Sequence, residues 1–168
     1  MWIILDRIAD VILQFRKGPI VEIGIGRSTR ILSAIAQRHG VKLYSCDVKN
    51  FSQLFPDHVV YMGKSFDFMA QFSDTPAVVF LDGNHNYNVV KQEVEFFLPL
   101  LMDGGVIFMH DTLPPTPKHV SRDKCSDSYK LRKEMEANPE IDCFTWPYSA
   151  NNCGLTMLMK NPKCAVDK

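Results

Sequence analysis

The 168-residue chain has no excess of charge of either sign, no CxxC pair and no uninterrupted apolar run of membrane-spanning length. Lysine plus arginine equal aspartate plus glutamate at 19 each, with no basic block, so the electrostatic footprint of a nucleic-acid binder is missing. Lys118, His119, Arg122 and Lys124 form only a local basic loop, with Asp123 among them, which a phosphate or carboxylate of a substrate could use but which reads first as a solvated loop. The five cysteines, Cys46, Cys125, Cys143, Cys153 and Cys164, are odd in number and scattered. That pattern suits reduced thiols in a cytoplasmic protein better than a disulfide framework or a zinc site. Met1 to Phe15 is apolar but interrupted by Asp6, Arg7 and Asp10, and reads as neither a signal peptide nor a membrane span. As a helix it places Ile4, Ile8, Val11, Ile12 and Phe15 on one face, which would pack on a sheet or on a second copy in a homodimer. The length accommodates one α/β domain over residues 1–168, with an amino-terminal helix over 1–17, and no second domain.

What the chain does have is a β-α-β unit from Ala77 to Thr112. Ala77 to Leu81 is a continuous apolar run, as expected for a strand buried on both faces, and it stops at Asp82. Gly83, Asn84 and Asn86 supply turn chemistry, after which Val89, Val90, Val94, Phe97 and Leu98 fall at helical spacing among Lys91, Gln92, Glu93 and Glu95. Pro99 lies in the last turn of the helix or beyond it, Asp103-Gly104-Gly105 turns the chain, and Val106 to Met109 forms a second buried strand ending at His110-Asp111. A crossover of this kind joins parallel strands, so Asp82 and Asp111 emerge at the same carboxyl edge. Adjacent strands would bring them roughly 5 Å apart. Two carboxylates that close repel unless a cation or a proton lies between them, and ligands of open α/β sheets bind at this edge.

Nearer the amino terminus, Pro19 to Ile23 reads as a buried strand, Gly24-Ile25-Gly26 as a turn that lets the backbone approach a ligand, and Ser28 or Thr29 as the cap of a helix running to about Arg38. The next strand, Val41 to Cys46, ends in Asp47, about twenty residues past the glycines, where an acid can hold ribose hydroxyls. A third strand near His58 to Met62 leads into Gly63-Lys64-Ser65-Phe66 and a helix with Phe68, Met69 and Phe72. After Asp111, residues 112–126 contain three prolines and no hydrophobic period, a loop placed to wall a substrate pocket. A helix from about Ser128 to Ala137 follows, and Ile141 to Trp146 and Gly154 to Met159 form a closing hairpin.

These segments resemble successive motifs of the class I S-adenosylmethionine (SAM) dependent methyltransferases. The residues that carry the resemblance are Glu22-Ile-Gly24-Ile-Gly26, Asp47, Gly63-Lys-Ser65, Leu81-Asp82-Gly-Asn-His85 and His110-Asp111-Thr112. The metal-dependent O-methyltransferases of sugars and other small molecules are the most similar branch, with macrocin O-methyltransferase and cephalosporin hydroxylase-like relatives. The resemblance spans roughly residues 18–160. It implies a Rossmann-like, doubly wound, mostly parallel seven-stranded sheet with a C-terminal antiparallel hairpin. It further implies that Glu22, Gly24, Gly26 and Ser28 surround the methionine end of SAM, that Asp47 holds the ribose, and that Ser65 and Phe66 lie near the adenine. Asp82 matches a residue of both the cofactor and metal sites, Asp111 a second metal carboxylate, and His110 a further ligand or near neighbour. Mg²⁺ or another divalent cation is the implied metal, and His85 matches the general base.

Two departures stand out: Ser28 replaces the usual third glycine, and Lys64 the acid often found after the third strand. His110 and Asp111 are sequence neighbours, so on a regular strand they point to opposite faces, and both reach one ion only if the strand breaks between them. His39, His58 and His119 read as structural or solvated. The expected activity is methyl transfer to a hydroxyl of a small molecule or sugar, with no nucleic acid or membrane as partner. A metal-independent methyltransferase, an NAD-dependent oxidoreductase and a non-catalytic SAM-binding protein are the alternatives. The second of these is weakened because GxGxxG would need glycine or alanine at Thr29.

Overall fold

The computed structural model describes residues 2–51, 58–121, 124–147 and 153–161. Arg122, Asp123, Cys164 and most of the loop expected between the last two strands lie outside these. The elements are α1 (Trp2–Phe15), β1 (Ile20–Ile23), α2 (Arg27–His39), β2 (Leu43–Asp47), β3 (Val59–Met62), α3 (Ser65–Met69), β4 (Val78–Leu81), α4 (Tyr87–Leu100), β5 (Val106–His110), a 3₁₀ turn (Pro117–His119), α5 (Tyr129–Glu136), β6 (Ile141–Trp146) and β7 (Leu155–Lys160). The sheet runs β3-β2-β1-β4-β5-β7-β6. Its first five strands are parallel, and β7 lies antiparallel to both β5 and β6. This is the doubly wound, seven-stranded arrangement with a terminal hairpin that the sequence predicts.

Alternation along the central strands divides the core. Val79 and Leu81 of β4, with Ile107 and Met109 of β5, face α3, α4 and α5 through Phe68, Val90, Val94, Phe97 and Leu131. Val78, Phe80, Val106 and Phe108 face the other way, toward Leu5, Ala9 and Leu13 of α1 and Leu32 and Ile35 of α2. Both faces are therefore covered, which is why β4 reads as an unbroken apolar run and β1 is buried at every position, its one polar residue being Glu22.

The first helix forms as expected but turns a different face inward. Leu5, Ala9 and Leu13 are fully buried, whereas Val11 and Phe15 are 49% and 73% exposed. Ile4, Ile8 and Ile12 flank the buried stripe rather than forming its centre. The helix is apolar around most of its circumference, so more than one stripe fits a period of 3.6, and the small Ala9 marks the one that can lie close to its neighbour. Asp10 then bridges to Arg38 and His39 at the end of α2, fixing the two helices side by side. His39 is thus structural, as are His58, 2.8 Å from the Ser33 hydroxyl, and His119, 2.9 Å from that of Thr116.

The cysteines are not all reduced, contrary to what their scatter in the sequence suggests. Cys125 and Cys153, 28 positions apart, are joined by a disulfide, while Cys46 and Cys143 are free. Their spacing gave no sign of it, because the pair is made by topology: the loop after β5 returns to the start of β7, where the Cys153 carbonyl also accepts from the Leu113 N–H. The bond removes the support that the scattered cysteines lent to a reducing compartment. Among the described residues no helix is long and apolar enough to cross a membrane.

Candidate active site

The glycine turn after β1 is built for close approach. Gly24 has φ +94°, and a Cβ there would lie 2.4 Å from the Asp82 carbonyl oxygen, so this position brings the β1 turn against the end of β4. A Cβ on Gly26 would meet no protein atom within 4 Å, leaving open space above the start of α2. The helix begins at Arg27 with Gly26 as its cap, two or three residues before Ser28 and Thr29; the Thr29 hydroxyl accepts from the Gly26 N–H at 2.9 Å. Ser28 donates to Glu22 at 2.6 Å and Ser45 to its other oxygen at 3.2 Å. Glu22 is fully buried, and burial pushes its carboxyl up to about 7 against the hydrogen bonds of Ser28, Thr29 and Ser45.

Asp47 ends β2 beside this turn. Its carboxylate accepts from the Ile25 N–H at 2.9 Å and from the Lys49 N–H at 2.8 Å, which orients both oxygens and leaves further lone pairs for a ligand. A cleft of about 970 Å³ runs along the carboxyl edge, lined by Gly24, Asp47, Ser65, Phe66 and His85 among others. Glu22, Gly26, Ser28 and Asp82 are not among its lining residues.

At the β4–β5 end the expected cluster is present. Ligand atoms of Asp82, His110 and Asp111 all lie within 4.8 Å of one another. His110 Nδ1 is 2.8 Å from Asp82 Oδ1 and 3.3 Å from Asp111 Oδ1. The condition for His110 and Asp111 to share a site is met: β5 ends at His110, and Asp111 takes φ +57°, a left-handed conformation that redirects its side chain. That backbone is held by an N–H donated to the Gly154 carbonyl at 3.0 Å and by the Ser128 hydroxyl, 2.8 Å from the Asp111 carbonyl. A strained non-glycine residue fixed from both sides is a feature found at functional sites. His85 reaches the same carboxylates, with Nε2 3.6 Å from Asp82 and 3.9 Å from Asp111, and it also lines the cleft.

The electrostatics of the cluster follow from its composition. Burial alone would lower the His110 pKa, but hydrogen bonds and charge from Asp111 and Asp82 outweigh it and raise it to about 9. Burial would raise the Asp111 carboxyl, yet the hydrogen bond and charge of His110, with the charges of His85 and His119, hold it below its ordinary value. A proton on His110 therefore holds the two aspartates together, in the place a cation would take.

Three features were not anticipated from sequence. Trp2 of α1 stacks on His110, ring centroids 5.6 Å apart and planes 9° from parallel. The disulfide lies beside Asp111, anchoring the loop that flanks the site. Glu93, in α4, lines the cleft although only 1% exposed. The last was legible in principle, since position 93 falls on the same helical stripe as the buried Val90, Val94 and Phe97.

A glycine turn at β1, an acid at the end of β2 and a polar cluster at β4–β5 of this sheet define a class I SAM-dependent methyltransferase domain. Residues 21–112, more than half of the chain, match the family described as methyltransferase domain, and the chain belongs to that family. A comparison with curated proteins finds no match. Among solved structures the chain is similar to the methyltransferase PaMTH1 of Podospora anserina bound to S-adenosylhomocysteine (SAH), with TM-score 0.69 and 15% identity over 94% of this chain and 78% of that one. It is similar also to cofactor-bound Rv0187 from MTB, with TM-score 0.72 and 14% identity over 93% and 79%. The MycE methyltransferase of the mycinamycin biosynthetic pathway, in complex with Mg and SAH, aligns with TM-score 0.65 and 16% identity over 93% of this chain and 47% of MycE. At these identities the likeness is one of fold.

Proposed function

We propose that this protein transfers a methyl group from SAM to a hydroxyl of a small molecule, sugars included, with a divalent cation held by Asp82, His110 and Asp111. The observation that carries this reading is the meeting of two aspartates and a histidine from adjacent strand ends, with His85 against both carboxylates and a glycine-turned cleft alongside. The donor set fits a divalent ion: two carboxylates suit Mg²⁺, and the imidazole extends the range to Mn²⁺. The cofactor is accommodated by the glycine turn at Gly24 and the oriented acid of Asp47, both of which line the cleft.

When bound, SAM supplies an activated methyl group, and the cation supplies positive charge that favours an ionised acceptor hydroxyl. The chain's own residues do the rest. Asp47 accepts from the ribose hydroxyls, and Ser65 and Phe66 flank the base. Glu22 and Ser28, bonded to each other, stiffen the floor of the turn. His85 takes the hydroxyl proton at a ring nitrogen, and the neighbouring carboxylates stabilise the imidazolium that results. MycE carries Mg and SAH together, which supports pairing the two groups here.

Calorimetric titration with SAH, with and without Mg²⁺, combined with labelled methyl transfer from SAM to a panel of sugars and phenols, tests the reading. SAH binding and chelator-sensitive transfer are expected, and His85→Gln should retain SAH affinity while kcat falls about 10²–10³-fold. Transfer that survives chelation would make the enzyme metal-independent. Failure to bind SAH at all would end the reading.

A further inference from the structure

The loop after β5 is fastened to the sheet by a covalent bond, and the fastening falls on the residues that hold Asp111. Cys125 and Cys153 are joined and buried, 0% and 5% exposed, and a carboxylate oxygen of Asp111 lies within 4.8 Å of both sulfurs. On the β7 side, the carbonyl of Gly154, next to Cys153, accepts from the Asp111 N–H at 3.0 Å, and that of Cys153 accepts from the Leu113 N–H. Gly154 has φ +79°, and a Cβ there would lie 2.6 Å from Leu113 Cβ, so the two segments are in close contact. On the loop side, the Ser128 hydroxyl lies 2.8 Å from the Asp111 carbonyl and 3.0 Å from that of Cys125. The disulfide thus joins the two pieces of chain that grip Asp111 from either side.

Between Cys125 and Ser128, two residues carry the loop to the rest of the site. Ser126 lines the cleft with His85 and takes φ +46°. Asp127 accepts from the Tyr87 N–H at 2.7 Å, at the start of α4 and two residues past His85. Among the described residues, Asp111 and Ser126 are the non-glycine positions with positive φ, one beside the sulfurs and the other next in sequence to Cys125. Such conformations persist where the surroundings over-determine them. Thr112, by contrast, is tied to β7 and α5 without the disulfide, its hydroxyl 2.6 Å from that of Thr156 and its carbonyl accepting from Arg132 Nε at 3.0 Å. Opening the bond therefore frees the loop and Asp111 while leaving β5 and β7 paired.

We propose that the Cys125–Cys153 disulfide is a positioning device for the cation site, so that the affinity of Asp82, His110 and Asp111 for a divalent ion depends on the thiol–disulfide state of the pair. The inference rests on the proposed cation site. A dithiol opens the bond: it gives two electrons and two protons and leaves as its own cyclic disulfide, and two cysteine thiols remain. Asp111 then loses the fixed backbone that turns its carboxylate toward His110. Supports of that kind are worth about 10–100-fold in metal affinity.

The test is Mn²⁺ binding to the full metal-free chain, read from the electron paramagnetic resonance of the free ion. Three proteins are compared: the oxidised wild type, the wild type reduced with dithiothreitol and desalted without air, and Cys125→Ala/Cys153→Ala. Burial slows exchange, so mass spectrometry of alkylated thiols follows the reduction to completion. The reduced and doubly substituted proteins should bind Mn²⁺ about 10–100-fold more weakly than the oxidised one, and reoxidation should restore the wild type. Cys143→Ser, which alters a free thiol on β6, should respond to reduction as the wild type does. Circular dichroism checks folding. If both proteins without the bond unfold, Ser128→Ala in the oxidised state decides, and it should weaken Mn²⁺ about threefold or more. Mn²⁺ affinity unchanged within about threefold in folded protein lacking the bond, or in Ser128→Ala where that protein unfolds, overturns the inference. Failure of the oxidised wild type to bind Mn²⁺ would instead overturn the cation site, and this inference with it.

Discussion

His110 Nδ1 and Asp82 Oδ1 lie 2.8 Å apart although they end different strands, because β4 and β5 are parallel neighbours in a register that pairs Leu81 with Met109. The imidazole is charged in this arrangement up to a pH of about 9, so a metal must displace its proton. Binding of Mn²⁺ at pH 7.5 should therefore release close to one proton. Calorimetry in buffers of different ionisation enthalpy measures this, and a proton count near zero would place the metal elsewhere or remove it.

The stacking of Trp2 on His110 gives the same titration an optical signal. The chain has two tryptophans, so Trp146→Phe leaves Trp2 as the single reporter. An imidazolium against an indole face is a cation–π contact and quenches its emission. Trp2 fluorescence should rise as pH passes through about 9 in metal-free protein, where His110 loses its charge. Adding His110→Asn should abolish the transition.

Glu22 and Glu93 set a pH dependence of stability with an unusual direction. Both have folded values of about 7 against an ordinary 4.5, so between those values the folded state binds more protons than the unfolded, and stability falls as pH rises. The rise from 4.5 to about 7 corresponds to roughly 3 kcal/mol for each group. Lowered carboxyls such as Asp111 act below about 3.8, and His110 acts between 6.5 and about 9, so the window from pH 5 to 6.5 isolates the two glutamates. Urea unfolding across that window should show falling stability in the wild type and a slope about half as steep in Glu22→Gln. A rising slope in the wild type would contradict the assignment.

The Cys125–Cys153 disulfide closes a 28-residue separation, for which restriction of the unfolded chain predicts about 3–4 kcal/mol. Cys125→Ser should lose about that much in denaturant unfolding under non-reducing conditions, and the wild type should lose it on reduction. Equal stability of the two oxidised proteins would show that the loop beside Asp111 is held by its other contacts, among them Ser128 to the Asp111 carbonyl.

Much of the site could be read from sequence because it rests on period and punctuation. Continuous apolar runs mark β4 and β5, turn residues mark the ends of these strands and of β1, and the crossover rule places Asp82 and Asp111 at one edge. The meeting of His110 with Asp111 was conditional on a broken strand, and the left-handed Asp111 supplies the break. What could not be read arises from contacts distant in sequence. The face that α1 buries depends on its fit against α2 and the sheet, and Trp2 reaches His110 through that same docking. The disulfide depends on where β7 is inserted, between β5 and β6, which no cysteine spacing encodes. Glu93 was hidden by its polar neighbours Gln92 and Glu95, though its helical phase matched the buried stripe.

The most direct measurement is a structure of the protein soaked with Mn²⁺ and SAH, using anomalous scattering to locate the ion. The account predicts a peak within bonding distance of Asp82 and Asp111 and SAH in the Asp47 cleft, with the peak lost in Asp111→Asn. An ion bound elsewhere, or a cleft still empty at saturating SAH, would contradict it.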